Sequence, residues 1–134
     1  MTPTHRRSHK DLILWQKAMD LAVQIHLLAR RLPKFETFGL ASQIRRAAVS
    51  IPSNVAEGAA RHTTREFLQF LYIARGSCSE LETQLTLTAQ LGYAPQADVA
   101  PVLARCDEVG RLLNAVITAL HRRIAEGSAL TANR

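Results

Sequence analysis

Aromatic side chains are scarce in this 134-residue sequence: one Trp, two Tyr and four Phe. Strands draw on aromatic and β-branched residues, whereas Ala, Leu, Arg and Gln dominate here, which disfavours an all-β domain. Cysteine is scarcer still. Cys78 and Cys106 each stand alone in the chain, without the numbers of a disulfide framework or the CxxC spacing of a zinc site. Both read as small, free, buried thiols. No uncharged run approaches the ~20 residues that span a bilayer. The opening MTPTHRRSHKD is basic but is not followed by the apolar segment of a signal peptide. The expectation is a soluble cytoplasmic protein with no membrane contact.

The motifs of chemistry are missing too. Bundle di-metal sites need Glu-x-x-His on two helices, and no acidic residue here is followed three positions later by His. There is no HExxH, GxGxxG or GxxxxGK[ST]. Neither cysteine has a base nominated beside it. His26 lies on the edge of an apolar stripe and reads as a packed histidine. The sequence therefore predicts no enzyme: no catalytic residues, no metal and no cofactor.

Helical periodicity is what remains. Leu14, Ala18, Leu21, Ile25, Leu28 and Leu32 follow steps of four and three. Leu40, Ile44, Ala47, Ile51 and Val55 repeat the pattern across Pro52, where a kinked but continuing helix is predicted. Thr63 and Glu66 form a capping box ahead of Phe67, Leu71, Ala74, Cys78, Leu81 and Leu85. Gly92-Tyr93-Ala94-Pro95 separates that stretch from Val99, Val102, Cys106, Val109, Leu113, Val116 and Leu120. Pro101 falls in the first turn of this last helix, and Gly127-Ser128 closes it. Four helices with short connections predict an all-α, up-down-up-down antiparallel four-helix bundle over residues 11–126, between a basic tail (1–10) and a C-terminal tail (127–134).

Two surfaces of that bundle carry functional expectations. A second stripe on the first helix, with Leu12, Trp15, Met19 and Val23, widens its apolar face beyond the stripe of a little over ~100° that one core needs. Oligomerisation through that second apolar face is predicted. Charge marks the other surface. The net charge is +6, but residues 1–65 hold 11 basic and 4 acidic side chains and carry all of the excess. Polyanion contact follows as a hypothesis, with Arg45, Arg46, Arg61 and Arg65 as the candidates and Lys34, Arg6 and Arg7 behind them. Arg46 has Glu57 or Glu80 as competing partners, and Glu80 and Glu82 read as partners of arginines on a neighbouring helix. Stacking platforms interleave Phe or Tyr among basic residues; that pattern is not read here, so contact to backbone phosphate is expected.

The string Asp11-Leu-Ile-Leu-Trp15-Gln-Lys-Ala18, with Phe38-Gly39-Leu-Ala-Ser-Gln-Ile-Arg45-Arg46-Ala47-Ala-Val-Ser50-Ile-Pro52-Ser-Asn54-Val-Ala56-Glu57-Gly58, resembles the bacterial four-helix-bundle family, also called the 23S rRNA intervening-sequence protein family. Glu66-Phe-Leu-Gln-Phe-Leu-Tyr72-Ile-Ala-Arg75-Gly76-Ser77, Glu80-Leu81-Glu82-Thr83-Gln84 and Leu91-Gly92-Tyr93 extend the likeness, which covers about residues 11–120. The resemblance implies a small cytoplasmic bundle, homopentameric, with no established enzymatic activity. Some relatives are encoded inside intervening sequences of 23S rRNA genes. The accessory variability determinant of diversity-generating retroelements is similar, and it binds nucleic acid and a reverse transcriptase. Together these readings favour a non-enzymatic homo-oligomer that binds RNA or DNA non-specifically through a basic surface. The alternative is a protein-interaction scaffold that binds no nucleic acid.

Overall fold

The computed structural model describes residues 8–132. Its four helices are α1 (Ile13–Ala29), α2 (Leu40–Ala59), α3 (Thr64–Gln90) and α4 (Gln96–Ala132), with short 3-10 turns at His9–Asp11 and Lys34–Glu36. No strand occurs among the described residues. Each helix packs on its neighbours in chain order and α1 closes the ring against α4, so consecutive helices run antiparallel around one core. All the apolar positions predicted from the spacing lie in that core or pack against it.

α2 runs through Pro52 as expected, with Ser53–Glu57 helical and Val55 fully buried. Proline removes the amide that would serve the Ala48 carbonyl. The neighbouring polar groups bond one another: Asn54 Nδ2 donates to Ser50 O (2.7 Å) and Ser50 Oγ (2.9 Å), and the Ser50 and Ser77 hydroxyls meet at 2.8 Å. This ties α2 to α3 where their facing residues are small.

α3 begins as predicted, with Thr63 Oγ1 accepting from the Glu66 N–H at 3.1 Å. It ends in a Schellman motif. Gly92 takes a φ of 73°, its N–H donates to Ala89 O, and the Tyr93 N–H reaches back to Thr88 O.

Two expectations about α4 need correction. It starts at Gln96, which places Pro101 sixth in the helix rather than in its first turn. It also runs on to Ala132, through Gly127 and Ser128, where the punctuation placed its end. A single glycine costs a helix only about 1 kcal/mol relative to alanine, too little to stop one whose preceding turns are anchored by Leu113, Ile117 and Leu120.

Cys78 and Cys106 are free and buried, facing each other across α3 and α4, with Cys106 Sγ 3.5 Å from the Cys78 carbonyl. Hydrogen bonding to Cys78, together with burial, pushes the Cys106 thiol up. A protonated, enclosed thiol is a poor nucleophile. Titration with Ellman's reagent is therefore expected to find Cys106 unreactive in the folded protein and fully reactive in denaturant; fast native reaction would contradict the packing.

Candidate functional site

Side chains tie together the end of the bundle that holds both the α1–α2 and α3–α4 connections. Glu36 is the bolt. Its Oε1 accepts from the Leu40 N–H (3.1 Å), capping α2 and placing a negative charge at the positive end of the helix dipole. Its Oε2 accepts from the Tyr93 hydroxyl (2.9 Å), so the Schellman turn after α3 is fastened to the opposite connection. A Cβ on Gly39 would lie 2.5 Å from that Oε1, so glycine makes room for the cap. The bond to Glu36 holds the Tyr93 hydroxyl above the ordinary phenol value of 10.0. A pKa raised in the fold means a contribution present below pH ~10 and lost as pH climbs through the raised value.

Around this bolt lie cations and rings. Arg45 Nη2 donates to Thr37 O (3.3 Å), and Thr37 Oγ1 donates to Lys34 O (2.7 Å). Lys34 and Arg45 are thereby brought to one end of the bundle, beside Arg30 and Arg31 at the close of α1. Phe35 sits edge-on to Tyr93 with ring centres 6.0 Å apart. Phe35 is nevertheless 77% exposed, and Phe38 is 95% exposed. This corrects the expectation that no aromatic interleaves the basic residues: Phe35 and Phe38 follow Lys34 in the connection whose Thr37 carbonyl Arg45 bonds. The signal was there to read, as two Phe in a short stretch between Pro33 and Gly39 that no helix buries.

Arg46 follows Arg45 on α2, and both line an open pocket against α1 with His26, Val49 and Ser50. His26 Nδ1 donates to the Ala22 carbonyl at 2.8 Å, a half-buried histidine as predicted. The ion pairs among the described residues are Lys17–Glu108, Arg31–Asp98, Arg61–Glu57 and Arg111–Asp107. Lys34, Arg45, Arg46 and Arg65 have no carboxylate partner among them. Glu57 is taken by Arg61, not by Arg46. Glu80 accepts from Gln84 Nε2 (3.1 Å) and lines one groove with Arg46, but among the described residues neither it nor Glu82 forms an ion pair with an arginine.

The four arginine candidates do not form one cluster. Arg61 lies beyond the far end of α2, about 23 Å from Arg45 and Arg46 at 1.5 Å per helical residue. It is also committed, paired to Glu57 (3.2 Å) and stacked 4.7 Å over the Phe70 ring. Arg65 is exposed at that same far end. Arg6 and Arg7 lie outside the described residues.

The second apolar stripe divides. Leu12 and Trp15 are half-buried against their own core, and Trp15 also meets the His9 ring at 5.1 Å. Met19 (39% exposed) and Val23 (54%) face outward, joined by Leu27 (46%) one turn on. The outward ridge is therefore Met19, Val23 and Leu27.

No helix among the described residues is long and apolar enough to cross a membrane, and no His, Cys, Asp and Glu side chains converge there as a metal site. The chain is similar to a solved structure from Bacteroides thetaiotaomicron VPI-5482, a protein of unknown function from the S23 ribosomal protein family. The two are 25% identical with a TM-score of 0.74, over 78% of this chain and 98% of that one. No curated protein matches. The model of the 23S rRNA-intervening sequence protein family matches residues 10–115, from the turn before α1 well into α4. With most of its length under that model, the chain belongs to the 23S rRNA-intervening sequence protein family.

Proposed function

We propose that this protein is a non-enzymatic homo-oligomer, a pentamer on the family resemblance, that binds RNA or DNA without sequence preference through its basic surface in the cytoplasm. The observation that carries this reading is the group of uncompensated cations at one end: Lys34, Arg45 and Arg46 have no acidic partner among the described residues. Ammonium and guanidinium groups without a carboxylate partner attract phosphates and release the counterions condensed on them. Repetition of that end in every subunit multiplies the field. The arginines at the far end count for less, because Arg61 is already spent on Glu57 and Phe70.

Fluorescence anisotropy with a labelled RNA duplex tests it. Affinity is expected to fall steeply with salt, by a slope of ~0.9 per phosphate neutralised. Arg45→Ala/Arg46→Ala should weaken binding several-fold more than Arg61→Ala/Arg65→Ala, with a shallower salt slope. Absence of binding at low salt overturns the reading in favour of the scaffold, which the outward ridge of Met19, Val23 and Leu27 would then serve.

A further inference from the structure

Phosphate contact alone does not account for the two phenylalanines. A ring of that size stabilises a protein by ~1.5–3 kcal/mol when it is buried, yet Phe38 is 95% exposed and Phe35 77%. Neither is on a loose segment. The 34–38 turn is held by Thr37 Oγ1 on Lys34 O, by Arg45 on Thr37 O, and by Glu36, whose two oxygens are taken by Leu40 N and the Tyr93 hydroxyl. Phe35 is steadied further by the edge of Tyr93. Glu36, the acid within this turn, thus has its charge directed into helix α2 and Tyr93. What this turn exposes is two rings, Phe35 and Phe38, on the same short segment as Lys34 and the Thr37 carbonyl that Arg45 bonds.

Exposed rings carried on a held turn, beside cations that have no carboxylate partner, match the chemistry of an unpaired nucleotide strand, whose base faces stack on the rings while its phosphates meet the cations. A duplex offers phosphates but keeps its bases stacked inside. We infer that the α1–α2 connection is a stacking platform for unpaired RNA, with Phe38 as the principal ring and Phe35 as the second. RNA is the source favoured, because its loops and bulges present unstacked bases to aromatic side chains. The inference rests on the proposed nucleic-acid binding and adds the strand class and the residues that select it. It differs from the phosphate contact of Arg45 and Arg46 in that it distinguishes a single strand from a duplex.

The experiment compares anisotropy of labelled oligouridine, which has no pairing of its own, with an RNA duplex of equal length, on the full chain at low salt. Wild type should bind the single strand more tightly. Phe38→Ala should weaken the single strand by about tenfold or more while leaving the duplex unchanged, and Phe38→Tyr should restore it, since stacking needs a ring rather than its particular edge. Because Phe38 is almost wholly exposed, the alanine variant should keep the wild-type circular dichroism. Equal loss on both probes, or no loss on either, overturns the platform while leaving phosphate binding intact. Failure of wild type to bind either probe overturns the nucleic-acid reading itself. A fall in light-scattering mass for Phe38→Ala would assign the ring to contact with a second copy of this chain and also overturn the platform. An oligothymidine strand bound more tightly than oligouridine would overturn the choice of RNA.

Discussion

Gly58→Val is expected to lower the thermal unfolding midpoint more than any change on the surface of this bundle. Gly58 lies buried in the last turn of α2, where α3 turns back beneath it. A Cβ there would stand 2.8 Å from Phe67 Cδ1, 2.8 Å from Phe70 Cβ and 3.3 Å from the Phe67 carbonyl oxygen. The Phe67 ring can swing, but Phe70 Cβ and the carbonyl move only with the backbone of α3. Overpacking of this kind costs ~1–3 kcal/mol, and valine adds two methyl groups to the first clash, so about 3 kcal/mol is expected. Alanine makes the clash with one carbon and recovers up to ~1 kcal/mol of helix propensity, so Gly58→Ala should lose less. At ~3–5 °C per kcal/mol for a chain of this size, the valine variant should melt about 10–15 °C lower. Circular dichroism at 222 nm reads this directly, and an unchanged midpoint would show that α2 and α3 separate at no cost.

That glycine illustrates where reading the sequence stops. In the chain Gly58 stands a few residues ahead of the Thr63 cap, and a glycine between two helical patterns is ordinarily there for its conformational freedom. In the fold it is an ordinary helical residue, chosen for lack of a side chain. Space is a property of two helices together, and no periodicity within one reveals it. The same limit explains Trp15. A broad apolar face on α1 is legible from its spacing, but which part of it the bundle covers depends on α2, α4 and the His9 turn. The structure gives Leu12 and Trp15 to the bundle's own core and leaves Met19 and Val23 outside. Pro52 is the opposite case. The apolar register continues across it through Ile51 and Val55, and burial of those residues outweighs one lost hydrogen bond, so helix continuity was readable in advance. The basic residues were readable as a list but not as a place. Lys34 and Arg45 are eleven positions apart in the chain and are linked through Thr37, whose hydroxyl donates to Lys34 O and whose carbonyl accepts from Arg45.

The assembly prediction follows from that division of α1. Met19→Glu/Val23→Glu is expected to reduce the light-scattering mass from that of an oligomer to that of one chain, without loss of helicity. In the single chain both side chains face water, so carboxylates there cost the bundle little. In an oligomer each would be an unpaired charge taken out of water, a penalty of several kcal/mol that exceeds the ~1.5–3 kcal/mol gained by burying the native side chain. Trp15→Ala should act the other way round: half-buried on its own core, it should lower the melting temperature more than it lowers the mass. The same glutamate variant carries a consequence for nucleic acid, although neither residue is basic. Linked copies bind one strand with an effective concentration that a lone subunit lacks, a gain of ~10²–10⁴. Affinity for a long RNA should therefore fall by about a hundredfold or more, while affinity for a strand short enough to touch one subunit falls far less, the two added negative charges per chain accounting for the remainder. Equal losses on long and short strands would show that the charge change and not the assembly is responsible. A wild-type mass of one chain at micromolar concentration would remove the oligomer from the argument and leave Lys34, Arg45 and Arg46 to act alone.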